Sequence, residues 1–209
     1  MKYKETKSET VSVTVPSVTG ANIGALATGA SPAFYSWVPS TWPAAPAAWN
    51  PNFSKTLKQI FDESILGEIG NVIHDIKNSN GDLQHRGHVV AISLMCALEA
   101  ISAYPYRRHK MSQFVASHFP AAYRPHANAL YGLYRNSMIH SWNLFEASIR
   151  PGIEPISKTE TGILTFGLLN FFAALQEGAN DFLGLLETNV SLQTNTLNRY
   201  GHLRKTAKA

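Results

Sequence analysis

Phe53-Ser-Lys-Thr-Leu57-Lys-Gln-Ile60-Phe61-Asp-Glu-Ser-Ile65-Leu66-Gly-Glu-Ile69-Gly-Asn-Val72-Ile73-His-Asp-Ile76 is the stretch on which the fold turns. Its apolar residues recur three and four apart, the spacing that lines one side of a helix with 3.6 residues per turn. Asn78-Ser-Asn-Gly81 then supplies a stop, and Asp82 is a good N-cap for a second helix. That second helix is predicted through Val89, Ile92, Leu94, Met95, Leu98 and Ile101, ending before Pro105 because the residue preceding a proline is pushed out of the helical region. It is apolar on most faces and therefore expected at the centre. A short helix is expected around Met111 to His118. Another opens near Pro125 and runs to about Phe145; after a loop at Pro151, Gly152 and Pro155, long helices are expected at Gly162 to Leu186 and Ser191 to Lys205. The expectation is an all-α, up-and-down bundle of about five helices.

The N-terminal side is different. Residues 10–54 carry no charged side chain, and the part from Gly20 to Pro51 is rich in Ala, Pro, Gly and Trp. Five prolines from Pro32 to Pro51 forbid a continuous helix, and Gly20, Gly24 and Gly29 break a strand pattern. Thr10-Val-Ser-Val-Thr-Val15 alternates as one short strand would. The division expected is an irregular or flexible arm at 1–52 and a helical bundle at 53–209. Phe34, Tyr35, Trp37, Trp42 and Trp49 are costly to leave in water, so docking on the helical body or on a partner competes with a disordered leader.

Length and composition set the remaining bounds. The 209 residues suffice for one domain with a full core. Charged residues make up only 15%, with a formal net charge of +4 and a pI near 9.2, which permits nucleic-acid binding without requiring it. The single cysteine, Cys96, lies in an apolar run, so no internal disulfide can form and a packing role is expected, in an intracellular, cytoplasmic chain. Gly162 to Gln176, the longest uncharged apolar run of the C-terminal half, is shorter than the ~20 residues of a membrane span, and no signal peptide is expected at the N-terminus.

Chemistry concentrates in Leu130-Tyr-Gly-Leu-Tyr-Arg135-Asn136-Ser-Met-Ile-His140-Ser-Trp-Asn-Leu144. Arg135 carries a permanent guanidinium suited to a phosphate, and His140 an imidazole able to move a proton near neutral pH. The spacing alone is weak, since the Arg and His content gives about one such pair by chance. On a helical projection Leu130, Leu133, Tyr134, Met138, Leu144 and Phe145 form an apolar back, while Arg135 and His140 flank a polar front. Asn136 is one turn before His140 and placed to orient it. The two ends of the pair are about 7.5 Å apart along the axis, so convergence on one phosphate is easier across two copies of the helix. The plainer interpretation is an amphipathic helix with Arg, Asn and His on its solvent side.

Arg135-Asn136-Ser-Met-Ile-His140 resembles the signature of the HEPN superfamily (higher eukaryotes and prokaryotes nucleotide-binding), in which an Arg, often followed by a polar residue such as Asn, precedes a His with four to six residues between them. The likeness covers roughly Phe53 to Arg204, with its specific content in one helix. It implies a helical bundle with no cofactor, a homodimer in which two motifs meet, and metal-independent RNA cleavage in defence or toxin–antitoxin biology beside an antitoxin-like partner. Under that resemblance His140 transfers the proton, Arg135 stabilises phosphate charge and Asn136 steers His140. Other members bind RNA, nucleotide or protein partners without catalysis, the alternative function.

Two further clusters are candidate RNA or phosphate contacts. His85, Arg86 and His88 are expected in the first turns of the second helix, where unpaired N–H groups favour an anion. Arg107, Arg108, His109 and Lys110 follow Tyr104 and Tyr106 in a basic, aromatic connector. A solvated helix start and a solvated loop are the plainer alternatives. His85 and His88 lack two further ligands at zinc spacing, so no metal site is expected. Glu68, Asp75 and Glu99 are the acids able to pair with Arg135, which would make it structural.

Overall fold

Asn50 starts the helical body: its Oδ1 accepts a hydrogen bond from the Phe53 N–H at 3.0 Å, and Pro51 occupies the first helical position, where a missing N–H costs nothing. In the computed structural model, residues 43–78, 83–106, 110–132, 147–150 and 152–206 are described. The elements are α1 (Pro51–Gln59), a π-helical segment (Ile60–Gly67), α2 (Glu68–Asn78), α3 (Leu83–Tyr106), α4 (Met111–His118), a 3₁₀ turn (Arg124–His126), α5 (Ala127–Ala129), β1 (Ala147–Arg150), β2 (Ser157–Lys158), β3 (Leu164–Gly167), α6 (Leu168–Leu185) and α7 (Val190–Thr206).

The first long helix is present as α1, the π segment and α2 in unbroken succession. Its apolar stripe is buried at Phe53, Leu57, Ile60, Phe61, Leu66, Ile69, Ile73 and Ile76. The wider π turns re-aim the stripe midway. Helix α3 is the centre expected of it, packing against α7, α2, α4, α6 and β1 and burying Val90, Ala91, Leu94, Met95, Leu98 and Ile101. Among the described residues its segment Gly87–Tyr106 is the one helix long and apolar enough to cross a membrane, yet most of that surface is covered by protein. It is used as a core helix.

Three sequence expectations are corrected. Helix α3 does not stop before Pro105 but includes it and ends at Tyr106; the proline forgoes a single N–H bond and falls in the last turn, where almost no helix follows for its ring to bend, and its carbonyl accepts from Asn195 Nδ2 at 3.0 Å. The expected helix Gly162 to Leu186 begins only at Leu168, because Leu164–Gly167 is a strand buried at all four positions. The fold is consequently mostly helical but not all-α: a three-stranded mixed sheet of order β1-β3-β2 joins the helices.

In the sheet β1 pairs parallel with β3, from Ala147↔Leu164 to Arg150↔Gly167, and β2 pairs antiparallel, with Ser157↔Thr165 and Lys158↔Leu164. The turn from β2 to β3 needs Gly162, whose φ is +88°, and is closed by Thr159 N–H to Ile163 C=O at 2.9 Å. Gly167 matters for a different reason. A Cβ there would collide with the Gly152 carbonyl and the Glu154 N–H, so only glycine lets the 152–154 loop approach the start of α6. That loop caps α6 in place of a side chain: Gly167 N–H donates to Glu154 C=O at 2.9 Å and Leu169 N–H to Gly152 C=O at 3.1 Å.

Candidate functional site

The chain approaches its Arg–His motif through a well-packed entrance. Arg124 donates from Nε to the Phe119 carbonyl at 2.8 Å, Tyr123 and Ala127 are buried, and Leu130 is fully enclosed. It re-emerges in β1, which the parallel ladder with β3 ties to the start of α6. Arg135, Asn136 and His140 themselves lie outside the described residues, as does the remainder of the helix expected to reach Phe145.

The phosphate-contact candidates divide in the same way. His85 and Arg86 fall in the first turn of α3, with side chains outside the described part, while His88 is described and exposed one turn further on. Arg107 and Arg108 lie outside it; Lys110 is exposed immediately before α4. Of the acids that could oppose Arg135, Glu68 lies beside an apolar groove, Asp75 has its Oδ1 3.6 Å from His74 Nδ1, and Glu99 is half-buried on α3.

Beside the basic connector the fold assembles a polar cluster that the sequence pattern does not announce. His118, at the last position of α4, is 3% exposed. Its Nδ1 lies 2.7 Å from Asp181 Oδ2 on α6, and its Nε2 lies 2.9 Å from the hydroxyl of Tyr106, the last residue of α3. An ionised carboxylate has no hydrogen to give, so Nδ1 carries the proton and donates to Asp181. In the neutral ring Nε2 must then accept from the Tyr106 hydroxyl, which fixes the direction of both bonds. The imidazole also sits 4.7 Å from the Phe114 ring and 5.8 Å from the Phe182 ring, centroid to centroid. It thus ties the ends of α3 and α4 to Asp181 within α6 inside an aromatic cage. Asp181 is about half exposed on its side chain, so water shares its charge.

Chemically this Asp–His–Tyr chain orients a phenol. Tyr106 is half-buried and immediately precedes the basic connector, so the cluster sets where that connector leaves α3. The partners are separated by 12 and 63 positions in sequence, and no local period links them. The sequence reading places Tyr106 in the connector, and only the structure makes it the last residue of α3.

Tyr123 is the reverse case. It is 3% exposed between the Phe119 and Phe171 rings, and its hydroxyl has no hydrogen-bond partner among the described residues. Burial pushes its pKa up to about 12. Burial likewise raises the Tyr104 hydroxyl, with Tyr200 adding to the shift and Arg199 opposing it. Among the described residues no group of three or more His, Cys, Asp or Glu side chains is placed to hold a metal ion.

Compared with known proteins, the chain matches no protein-family model, no curated protein and no solved structure. The class that fold and site define is thus a mostly helical domain with a small mixed sheet.

Proposed function

We propose that this chain is a metal-independent endoribonuclease of the HEPN type, acting as a homodimer at a composite site built from Arg135, Asn136 and His140. The observation that carries this reading is the hexapeptide Arg135-Asn136-Ser-Met-Ile-His140 itself, set in a chain whose described part is mostly helical. The chemistry needs no metal. A ribose 2′-oxygen attacks the adjacent phosphorus, losing its proton to a base; the P–O5′ bond breaks, and the departing 5′-oxygen gains a proton from an acid, leaving a 2′,3′-cyclic phosphate and a 5′-hydroxyl. A single imidazole cannot hold and lack its proton at once, so two copies of His140 fit the two roles better than one. Arg135 stabilises charge on the phosphoryl oxygens, and Asn136 positions the imidazole. His85, Arg86, His88, Arg107, Arg108 and Lys110 extend the contact to the strand. A cytoplasmic defence or toxin–antitoxin setting, with an antitoxin-like protein partner, is implied by the same resemblance.

The test is cleavage of single-stranded RNA by purified protein in excess chelator, with His140→Ala alongside. Loss of about 10²–10⁴-fold in rate with retained RNA binding is expected of a proton-transfer residue. Equal cleavage by both proteins would assign the activity to something else. Binding without cleavage in either, weakened by Arg135→Ala, would establish the non-catalytic module instead.

A further inference from the structure

Tyr106 stands apart among the described tyrosines. Tyr104, Tyr123 and Tyr200 are enclosed in the core, while Tyr106 and Tyr131 are half-buried and reach the surface. The Tyr131 hydroxyl meets no hydrogen-bond partner among the described residues, whereas that of Tyr106 lies 2.9 Å from His118 Nε2, the ring nitrogen left to accept its proton. His118 is oriented in turn by Asp181, whose Oδ2 is 2.7 Å from Nδ1. Hydroxyl, base and orienting carboxylate thus follow one another within hydrogen-bond reach, the order that activates a nucleophile. The Phe114 and Phe182 rings pack the imidazole at 4.7 and 5.8 Å and the residue is 3% exposed, so water does not compete for Nε2.

Transfer of the phenolic proton to Nε2 creates an imidazolium beside the Asp181 carboxylate, so the new charge is offset where it forms. The charge bonded into the cluster is negative, which disfavours a phosphate dianion and suits a neutral carbonyl centre. We propose that Tyr106 is a nucleophile for carboxylic esters, with His118 as its general base and Asp181 as the residue that positions that base. The bond from Tyr106 Oη to the carbonyl carbon forms as the phenolic proton passes to His118 Nε2. The bond from that carbon to the ester oxygen then breaks, and the departing oxygen takes the proton from Nε2, leaving an acyl-tyrosine and an alcohol. Nothing in this step uses Arg135, Asn136 or His140, so it stands or falls apart from RNA cleavage.

The probe is p-nitrophenyl acetate with the full-length protein at neutral pH, acetylated tyrosines being located and timed by peptide mass spectrometry. Tyr106 is expected to be acetylated at least roughly tenfold faster than Tyr131, and p-nitrophenyl phosphate to leave no label on it. A phenol acting alone gains about tenfold in rate per pH unit up to pH ~10; Tyr106, whose proton leaves through an imidazole, is expected to level off well below that. Asp181→Asn, checked for folding by circular dichroism, should bring Tyr106 to within about twofold of Tyr131. Should that variant not fold, the native comparison and the pH profile decide without it. Equal rates at Tyr106 and Tyr131 in the native protein, the pH profile of an unassisted phenol, or a folded Asp181→Asn chain that reacts at the native rate would each overturn the proposal and leave the two bonds a structural tie. Labelling of Tyr106 by the phosphate and not by the acetate would overturn the ester as its substrate class.

Discussion

His118 is held at both ring nitrogens and packed by two phenylalanines, so removing it costs cavity and hydrogen bonds together. His118→Ala is expected to destabilise the protein by about 2–4 kcal/mol in urea denaturation, most of it from the void among Phe114, Phe182 and Tyr106. Asp181→Asn should cost about 1 kcal/mol or less, since that side chain is half exposed and water replaces much of the lost charge. Near-equal losses for the two would mean that the hydrogen bond to Asp181 outweighs packing. Tyr123 predicts the opposite sign. Its buried hydroxyl meets no partner among the described residues, so Tyr123→Phe removes a desolvation penalty without leaving a void and should raise stability by up to about 1 kcal/mol. The pH dependence has the same cause. With a folded pKa raised from 10 to about 12, Tyr123 adds no ionisation cost to folding below pH 10; between 10 and 12 the unfolded chain ionises while the folded one resists, and stability is lost as the pH rises. Denaturation midpoints tracked from pH 9 to 12 should fall less steeply in Tyr123→Phe than in the native protein. None of this is legible in the sequence: Tyr106 reads as part of a basic, aromatic connector, and only the meeting of α3, α4 and α6 shows that its hydroxyl is committed to His118.

At the scale of elements, sequence periodicity reports what it is able to report. The long runs that form α1 to α2, α3 and α7 carry several turns of repeating apolar residues, and their boundaries fall within a few positions of those expected. The sheet escapes because each strand is four residues or fewer, and Leu164-Thr-Phe-Gly167 is buried on both faces, so it lacks the alternation that separates a strand from a buried helix. Its parallel partner β1 is distant in sequence and needs a crossover that no local pattern encodes. The π segment is equally hidden. Its geometry depends on Gly67, where an added Cβ would collide with the Asp62 carbonyl five residues earlier. Gly67→Ala must therefore distort or reset the wide turns and is expected to cost about 1–3 kcal/mol. Gly184, in the last turn of α6, has nothing within 4 Å of an added Cβ, and there the same substitution should stabilise by about 0.5–1 kcal/mol through helix propensity. Thermal denaturation of the two variants side by side checks the contrast; a shift of the same sign in both would mean that the π turns do not depend on Gly67.

For the whole molecule the question is whether one chain is a complete catalyst. Helix α3 touches α2, α4, α6, α7 and β1, so the apolar interior is closed within a single chain and the fold does not need a partner for its core. The proposed chemistry does need one, because RNA cleavage through a 2′-oxygen calls for a base and an acid while each chain brings one His140. The dimer is therefore expected to be a requirement of the site rather than of the fold, and the two can be separated experimentally. Native protein and His140→Ala, unfolded or dissociated together and reassembled in equal amounts, should distribute as one native dimer, two mixed dimers and one doubly substituted dimer. If both imidazoles are required, cleavage per total protein falls to about one quarter of the native value; if each chain acts alone, it falls only to about one half. Sedimentation should meanwhile give about twice the chain mass of 23.0 kDa for native and substituted protein alike. A value near one half with intact dimers would remove the composite site while leaving His140 its role, and a monomeric mass would remove the second copy altogether.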